Sequence, residues 1–115
     1  MSGWSKWIPF PDPRKNGYLY APFGAGVYEC RRRSTGGRVL FGKGGNLAFR
    51  MSSLLPKPYG CGVRKNKQKR KYVLKYIGDI EYRTLPCGTK EEANTAERKL
   101  KKNRDDYLFK ESNDD

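Results

Sequence analysis

The chain has 115 residues, with 25 Lys or Arg against 12 Asp or Glu and no histidine, which gives a formal charge of +13. This length suits one domain with one small core. The missing histidine excludes Ser–His–Asp and Cys–His catalysis as well as histidine-ligated zinc. No apolar run approaches the ~20 residues that span a bilayer, and the first ten residues lack the pattern of a signal peptide. We therefore expect a cytoplasmic protein with no membrane partner.

Residues 1–24 are predicted to form an extended N-terminal arm. They hold four of the seven prolines and six aromatic residues. Proline removes a backbone donor and fixes φ, which disfavours a helix or a central strand. Of two possible roles for the aromatic side chains, packing onto the domain is favoured over contact with a partner. The arm precedes a domain over residues 25–109 and a polar tail over residues 110–115.

The first half of the domain is predicted to be a β-hairpin followed by a helix. Alternating apolar and polar residues predict a strand over Gly26–Arg32, in which Cys30 faces the core as a reduced thiol. A turn over 34–37 leads into a second strand over 38–42. Apolar residues at helical spacing then predict a helix over about 47–55, which Pro56 ends.

The second half is predicted to add a basic helix over 66–76, a third strand over 79–85 and a last helix. Thr89 and Glu92 have the spacing of a capping box, which marks the start of that last helix. The helix carries Ala93, Ala96, Leu100 and Tyr107 on its apolar side. The predicted fold class is α/β, with a small three-stranded antiparallel or mixed sheet flanked by helices, in the order β-β-α-α-β-α.

The positive charge is concentrated in the first two thirds of the chain. Residues 1–78 carry 17 basic and 2 acidic residues, whereas residues 79–115 carry 8 basic and 10 acidic residues. Such a field attracts polyanions, of which nucleic acids are the commonest in a cytosol. Phosphate contacts fix position without reading sequence, so we expect binding of nucleic acid with weak sequence preference, DNA being favoured and RNA possible. The residues expected to contact phosphates are Arg31, Arg32, Arg33, Arg64, Lys65, Lys67, Lys69, Arg70 and Lys71.

Four short motifs follow one another across the predicted domain. They are Gly26-Val27-Tyr28, Leu40-Phe41-Gly42-Lys43, Asn46-Leu47-Ala48-Phe49-Arg50 and Glu97-Arg98-Lys99-Leu100. In this order and spacing, over about residues 26–107, the chain resembles the GIY-YIG nuclease superfamily. It departs from the family pattern at two positions. Leu40 stands where the second motif tyrosine would be, and Phe109 stands where the family often has an asparagine.

The resemblance implies a metal-dependent endonuclease that hydrolyses phosphodiester bonds in DNA. It implies catalytic roles for Tyr28, Lys43, Arg50 and Glu97, and it implies that Glu97 holds Mg²⁺ or Mn²⁺. The side-chain chemistry suits these roles. Tyr28 would orient or deprotonate the attacking water, and a nearby Lys43 would favour its phenolate. The donor fork of Arg50 suits phosphoryl oxygens, and a carboxylate suits a hard divalent cation.

Each of the four residues also has a simpler interpretation. Tyr28 fits a core position, Lys43 a solvated loop, and Arg50 an ion pair with a carboxylate. Glu97 fits an ion pair with Lys101, one helical turn further on. Since the leucine at the second motif position has no hydroxyl, a catalytically impaired nucleic-acid-binding module on the same fold is the alternative function. A structural RNA-associated protein is a third.

Overall fold

The structure, a computed structural model, describes residues 3–10, 24–45, 51 and 67–109. Its strands are β1 (Ile8–Pro9), β2 (Gly26–Arg32), β3 (Arg38–Gly44) and β4 (Ile80–Pro86). Its helices are α1 (Lys67–Lys75) and α2 (Lys90–Lys101), with short 3₁₀ helices over Ile77–Asp79 and Arg104–Asp106. The predicted α/β class is confirmed. The predicted helix over 47–55 lies outside the described residues, apart from Met51, which is helical and buried.

The strands form one antiparallel sheet in the order β1-β4-β2-β3. The prediction of three strands was wrong by one, because part of the N-terminal arm pairs with β4. Ile8 lies opposite Tyr82, and the Phe10 N–H donates to the Ile80 carbonyl at 2.8 Å. An edge position tolerates Pro9, since a strand at the edge needs partners on one side only. The arm therefore packs onto the domain over residues 3–10, as predicted, and the rest of it lies outside the described residues.

The sheet has two covered faces that carry different side chains. Because directly opposed residues of antiparallel strands point to the same side, Tyr28 shares one face with Gly42 and Thr84, its neighbours on β3 and β4. We call this the core face. It holds the hydrophobic core, in which the buried residues are Phe10, Tyr28, Cys30, Val39, Leu40, Met51, Val73, Ile80 and Tyr82. The predicted burial of Cys30 is confirmed, and that burial raises the pKa of its thiol.

The opposite face of the sheet packs against α2 and the start of the arm, and we call it the α2 face. Val27 lies opposite Lys43 and Leu85 in the register, so these three side chains share it. Phe41, two residues before Lys43, stacks against Tyr107 with ring centroids 4.7 Å apart. The sheet is therefore the middle layer, with α1 and Met51 on one side and α2 on the other.

Helix α2 begins at the predicted capping box. The hydroxyl of Thr89 accepts a hydrogen bond from the Glu92 N–H at 3.1 Å, and the Glu92 carboxylate accepts one from the Gly88 N–H at 2.9 Å. The helix ends at Lys101, earlier than predicted. Tyr107 lies beyond it, where its backbone forms a bridge to Arg38 at the edge of β3. This pairing gives hydrogen-bond partners to backbone groups at the open edge of β3. If α2 had continued to Tyr107, those groups would have had no strand partner.

Candidate functional site

The centre of the site is the carboxylate of Glu97, which meets two lysines. Oε1 of Glu97 lies 3.6 Å from Nζ of Lys43 and 3.3 Å from Nζ of Lys101. Lys43 also donates a hydrogen bond to Oδ1 of Asn94 at 2.7 Å. The Glu97 side chain is only 3% exposed, whereas those of Lys43 and Lys101 are 26% and 43% exposed. The structure thus brings together two of the four predicted catalytic residues, although they are far apart in the sequence.

Local structure explains why these side chains meet. Asn94, Glu97 and Lys101 recur at the three- and four-residue spacing that places side chains on one side of a helix. That side of α2 faces the last residues of β3, where Lys43 points to the α2 face of the sheet. Lys90, at the start of the same helix, also reaches the end of β3. A Cβ atom added to Gly45 would come within 3.1 Å of its Cε.

Of the other two predicted catalytic residues, the structure describes only Tyr28, and it is not part of this cluster. Tyr28 is fully buried among the core side chains and points to the core face, away from Lys43. Arg50 lies outside the described residues. The simpler interpretations of Tyr28 and Glu97 both describe what is observed, a core tyrosine and an i,i+4 ion pair. Whether the four residues act together in catalysis stays a prediction.

As they stand, the residues around Glu97 do not fit a divalent metal. A hard cation needs several oxygen ligands, and this carboxylate is already paired with two ammonium groups while nearly buried. Within the described parts of the chain, no group of three or more His, Cys, Asp or Glu side chains is placed to hold a metal ion. Coordination of Mg²⁺ or Mn²⁺ at Glu97 would therefore require at least one lysine to leave.

The three arginines at the end of β2 differ in how far they reach solvent. Arg31 is paired with Glu81 at 3.0 Å and stacks on the Trp7 ring at 4.1 Å. Arg32 donates to Asp79 at 2.6 Å and to Tyr72 at 3.3 Å, and it lies over the ring of Tyr76. Arg33 has the most exposed side chain of the three, at 62%. Of these predicted phosphate contacts, Arg33 is the most accessible.

The predicted phosphate contacts on the basic helix α1 also differ in how far they reach solvent. Lys71 is exposed, Arg70 is half-buried, and Lys69 is buried beside the core. Lys69 is 8% exposed as a residue, so little of its surface can meet a phosphate. Arg64, Lys65 and the side chain of Lys67 lie outside the described residues.

A second cluster of charge surrounds Glu29 on the α2 face. This carboxylate, 1% exposed, accepts hydrogen bonds from Arg38 at 2.7 Å, from Arg83 at 2.5 Å and from the Tyr107 hydroxyl at 2.5 Å. Burial and then the bond to Glu29 raise the pKa of Tyr107, so its hydroxyl remains a donor at neutral pH. Trp4 lies over the Arg83 guanidinium at 4.5 Å. The cluster joins β2, β3, β4, the arm and the segment after α2.

The sequence analysis missed a basic surface at the C-terminal end of α2. The net negative charge of residues 79–115 hid a local run of basic residues, which is flanked by Glu97 on one side and by Asp105 and Asp106 on the other. We call this surface the α2 basic end, and its exposed residues are Arg98, Lys99, Lys101, Lys102 and Arg104. The signal was present in the sequence, since cations are favoured at helix C-termini and such a run marks one.

Comparisons with known proteins leave the function to be argued from this geometry. No protein-family model, no curated protein and no solved structure matches the chain. Over residues 3–10, 24–45, 51 and 67–109, no helix is long and apolar enough to cross a membrane.

Proposed function

We propose that this chain binds nucleic acid, with DNA favoured over RNA, through contacts between basic side chains and backbone phosphates. The observation that carries the proposal is that positive side chains remain exposed in two parts of the fold. One part comprises Arg33, Lys71 and Lys75, near the β2–β3 turn and α1. The other is the α2 basic end, next to the Lys43–Glu97–Lys101 cluster.

The geometry brings the cations of the β2–β3 turn and of α1 together, although Arg33 also lies 4.0 Å from Asp79. Arg32 and Lys75 both lie over the ring of Tyr76, at 4.0 Å and 5.3 Å from its centroid. This shared ring holds the β2–β3 turn beside α1, so the positive charges of the two elements add together. A phosphate backbone follows such a field whatever its base sequence. We further propose that the fold is of the GIY-YIG type, which the motif order and the β2–β3 hairpin support.

The test is the salt dependence of binding. Fluorescence anisotropy with labelled 20-base-pair DNA, single-stranded DNA and duplex RNA of matching sequence would be measured from 50 to 200 mM KCl. Each phosphate contact contributes about −0.9 to the slope of log Kobs against log salt for duplex DNA. We expect a slope of several units with little dependence on sequence. An affinity that does not change with salt would contradict phosphate-driven binding, and tighter binding to duplex RNA would favour the RNA-associated alternative.

Hydrolysis of DNA is the second candidate function. It is favoured by the meeting of Lys43 and Glu97, two positions that the family resemblance implicates, within 3.6 Å. It ranks second because the Glu97 carboxylate is buried and already paired with two lysines in the described arrangement. Lys101 is the more exposed of the two lysines. Moving it away from Glu97 would therefore cost less free energy than moving Lys43.

Cleavage assays separate the two functions. Supercoiled plasmid and branched oligonucleotides would be incubated with Mg²⁺, with Mn²⁺ and with chelator, using the wild type, Glu97→Ala and Glu91→Ala. Glu91 is an exposed residue at the start of the same helix and serves as the matched control. Metal-dependent cutting that is lost only in Glu97→Ala would establish a nuclease. Salt-sensitive binding without cutting would establish a binding module.

A further inference from the structure

The Glu97 carboxylate holds two ammonium groups close together. Both lie near the same oxygen, Lys43 at 3.6 Å and Lys101 at 3.3 Å, so they are no more than about 7 Å apart. Two like charges at that distance repel each other, and the Glu97 carboxylate beside both of them offsets this repulsion. Since Glu97 is nearly buried while the lysines are partly exposed, the anion lies beneath the pair and the lysines face solvent.

The two lysines are arranged to bind a second anion from the solvent side. An ammonium group has three donors, and two neighbours of the Lys43 ammonium are the exposed Asn94 oxygen at 2.7 Å and the buried Glu97 carboxylate at 3.6 Å. Gly45, two residues after Lys43, has no side chain of its own there, and the Lys90 side chain lies beside it. Lys90, whose Cε lies close to Gly45, adds a third positive charge at the same end of β3.

We propose that Glu97 is a positioning residue, which holds Lys43 and Lys101 as a pair that binds one backbone phosphate, and that it is not a metal ligand. The inference rests on the proposed binding of nucleic acid and names the place where a phosphate docks. It accounts for an acidic residue that is buried at the centre of a basic surface. It also predicts that Glu97→Gln weakens DNA binding, although the substitution raises the net positive charge of the protein.

The sign follows from charge. Glu97→Gln removes a negative charge and raises the net charge of the protein, and a general electrostatic field would then bind DNA more tightly. A positioning role predicts the opposite. Without the carboxylate the lysines move apart, the phosphate loses its pair of donors, and both the affinity and the salt slope fall.

The experiment measures binding of labelled 20-base-pair DNA from 50 to 200 mM KCl in the presence of EDTA. Lys43→Met and Lys101→Met should each reduce the salt slope by about 0.9, the value for one phosphate contact. Lys6→Met is the matched control, because it removes the same charge from an exposed lysine of the N-terminal arm that lies outside both proposed binding parts. It should lower the affinity slightly and leave the slope unchanged. Glu97→Gln should weaken binding and reduce the slope.

Each alternative outcome identifies a different error. If the wild type shows no salt-dependent binding, the proposed function itself is wrong. If the wild type binds but Lys43→Met and Lys101→Met behave like Lys6→Met, the phosphate does not dock at this pair. If Glu97→Gln folds and binds more tightly, Glu97 only subtracts charge. Circular dichroism checks its folding, and if it fails to fold, the contrast between Lys101→Met and Lys6→Met decides the question.

A second readout addresses the metal directly. When Mn²⁺ is titrated into the free protein, calorimetry should show no saturable binding that is lost in Glu97→Gln. Binding of one Mn²⁺ per chain in the wild type and in Glu91→Ala, but not in Glu97→Gln, would make Glu97 a metal ligand and overturn the inference.

Discussion

The hydrogen bond between Tyr107 and Glu29 is the sharpest test of how this fold is stabilised. Tyr107→Phe removes one oxygen atom and keeps the ring that stacks on Phe41. The lost bond is 2.5 Å long and joins a phenol to a carboxylate that is 1% exposed. The perturbation therefore isolates a single polar contact in the buried cluster.

The structure sets the expected magnitude. Hydrogen bonds to charged groups contribute about 1.5–3 kcal/mol. Arg38 and Arg83 still neutralise Glu29 in the variant, which limits the loss to about 2 kcal/mol. Glu29→Gln removes the charge that both arginines share and should cost more, about 3 kcal/mol. That is the lower end for breaking a buried pair, because the arginine side chains are 25% to 35% exposed and can be hydrated.

The assay is urea unfolding followed by circular dichroism. For a domain of this size, about 2 kcal/mol corresponds to a fall in Tm of ~8 °C and a lower urea midpoint with an unchanged m-value. Tyr72→Phe is the matched control. The Tyr72 hydroxyl accepts a longer bond of 3.3 Å from a partly exposed arginine, and its loss should cost less than about 1 kcal/mol.

Two results would refute this reasoning. One is a Tyr107→Phe variant as stable as Tyr72→Phe, which would show that the hydroxyl contributes little. The other concerns the double variant that combines Tyr107→Phe with Glu29→Gln. Its loss in the free energy of unfolding would equal the sum of the losses in the two single variants. Groups that share a bond must couple, so the double variant should lose less than the sum of the two single losses.

Two further predictions concern the helix start and the β2–β3 turn. Thr89→Ala removes the cap of α2 and should lower the free energy of unfolding by about 1 kcal/mol, measured in urea. Thr95→Ala, whose hydroxyl bonds within the helix, should have a smaller effect, and equal losses would contradict the capping role. Hydrogen bonds from Ser34 and then Arg32 hold the pKa of Asp79 below its usual value of 3.8. The stabilisation from Asp79 is therefore complete above that value and lost as the pH falls below it. The stability difference between wild type and Asp79→Asn should shrink from pH 5 to pH 2, and a difference that does not change with pH would contradict the pairing.

Local patterns in the sequence determined the elements that depend on neighbouring residues. The alternation in Gly26–Arg32 predicted β2 with the bounds that are observed, because side chains in a strand alternate between two environments. The capping box predicted the start of α2, because both of its hydrogen bonds connect residues within four positions of each other. The i,i+4 pair of Glu97 and Lys101 could be anticipated for the same reason.

Tertiary structure alone decided which distant segments meet. The pairing of the N-terminal arm with β4 gave the sheet a fourth strand, and no local pattern around Ile8 indicated it. Packing also buried Glu29 and Lys69, two charged side chains whose sequence neighbours do not mark them as core residues. The register of β2 against β3 sent Tyr28 and Lys43 to opposite faces of the sheet. Charge and periodicity are properties of a segment, whereas partners and burial depend on which segments pack together. This is why the sequence predicted the elements better than it predicted which charged side chains are buried.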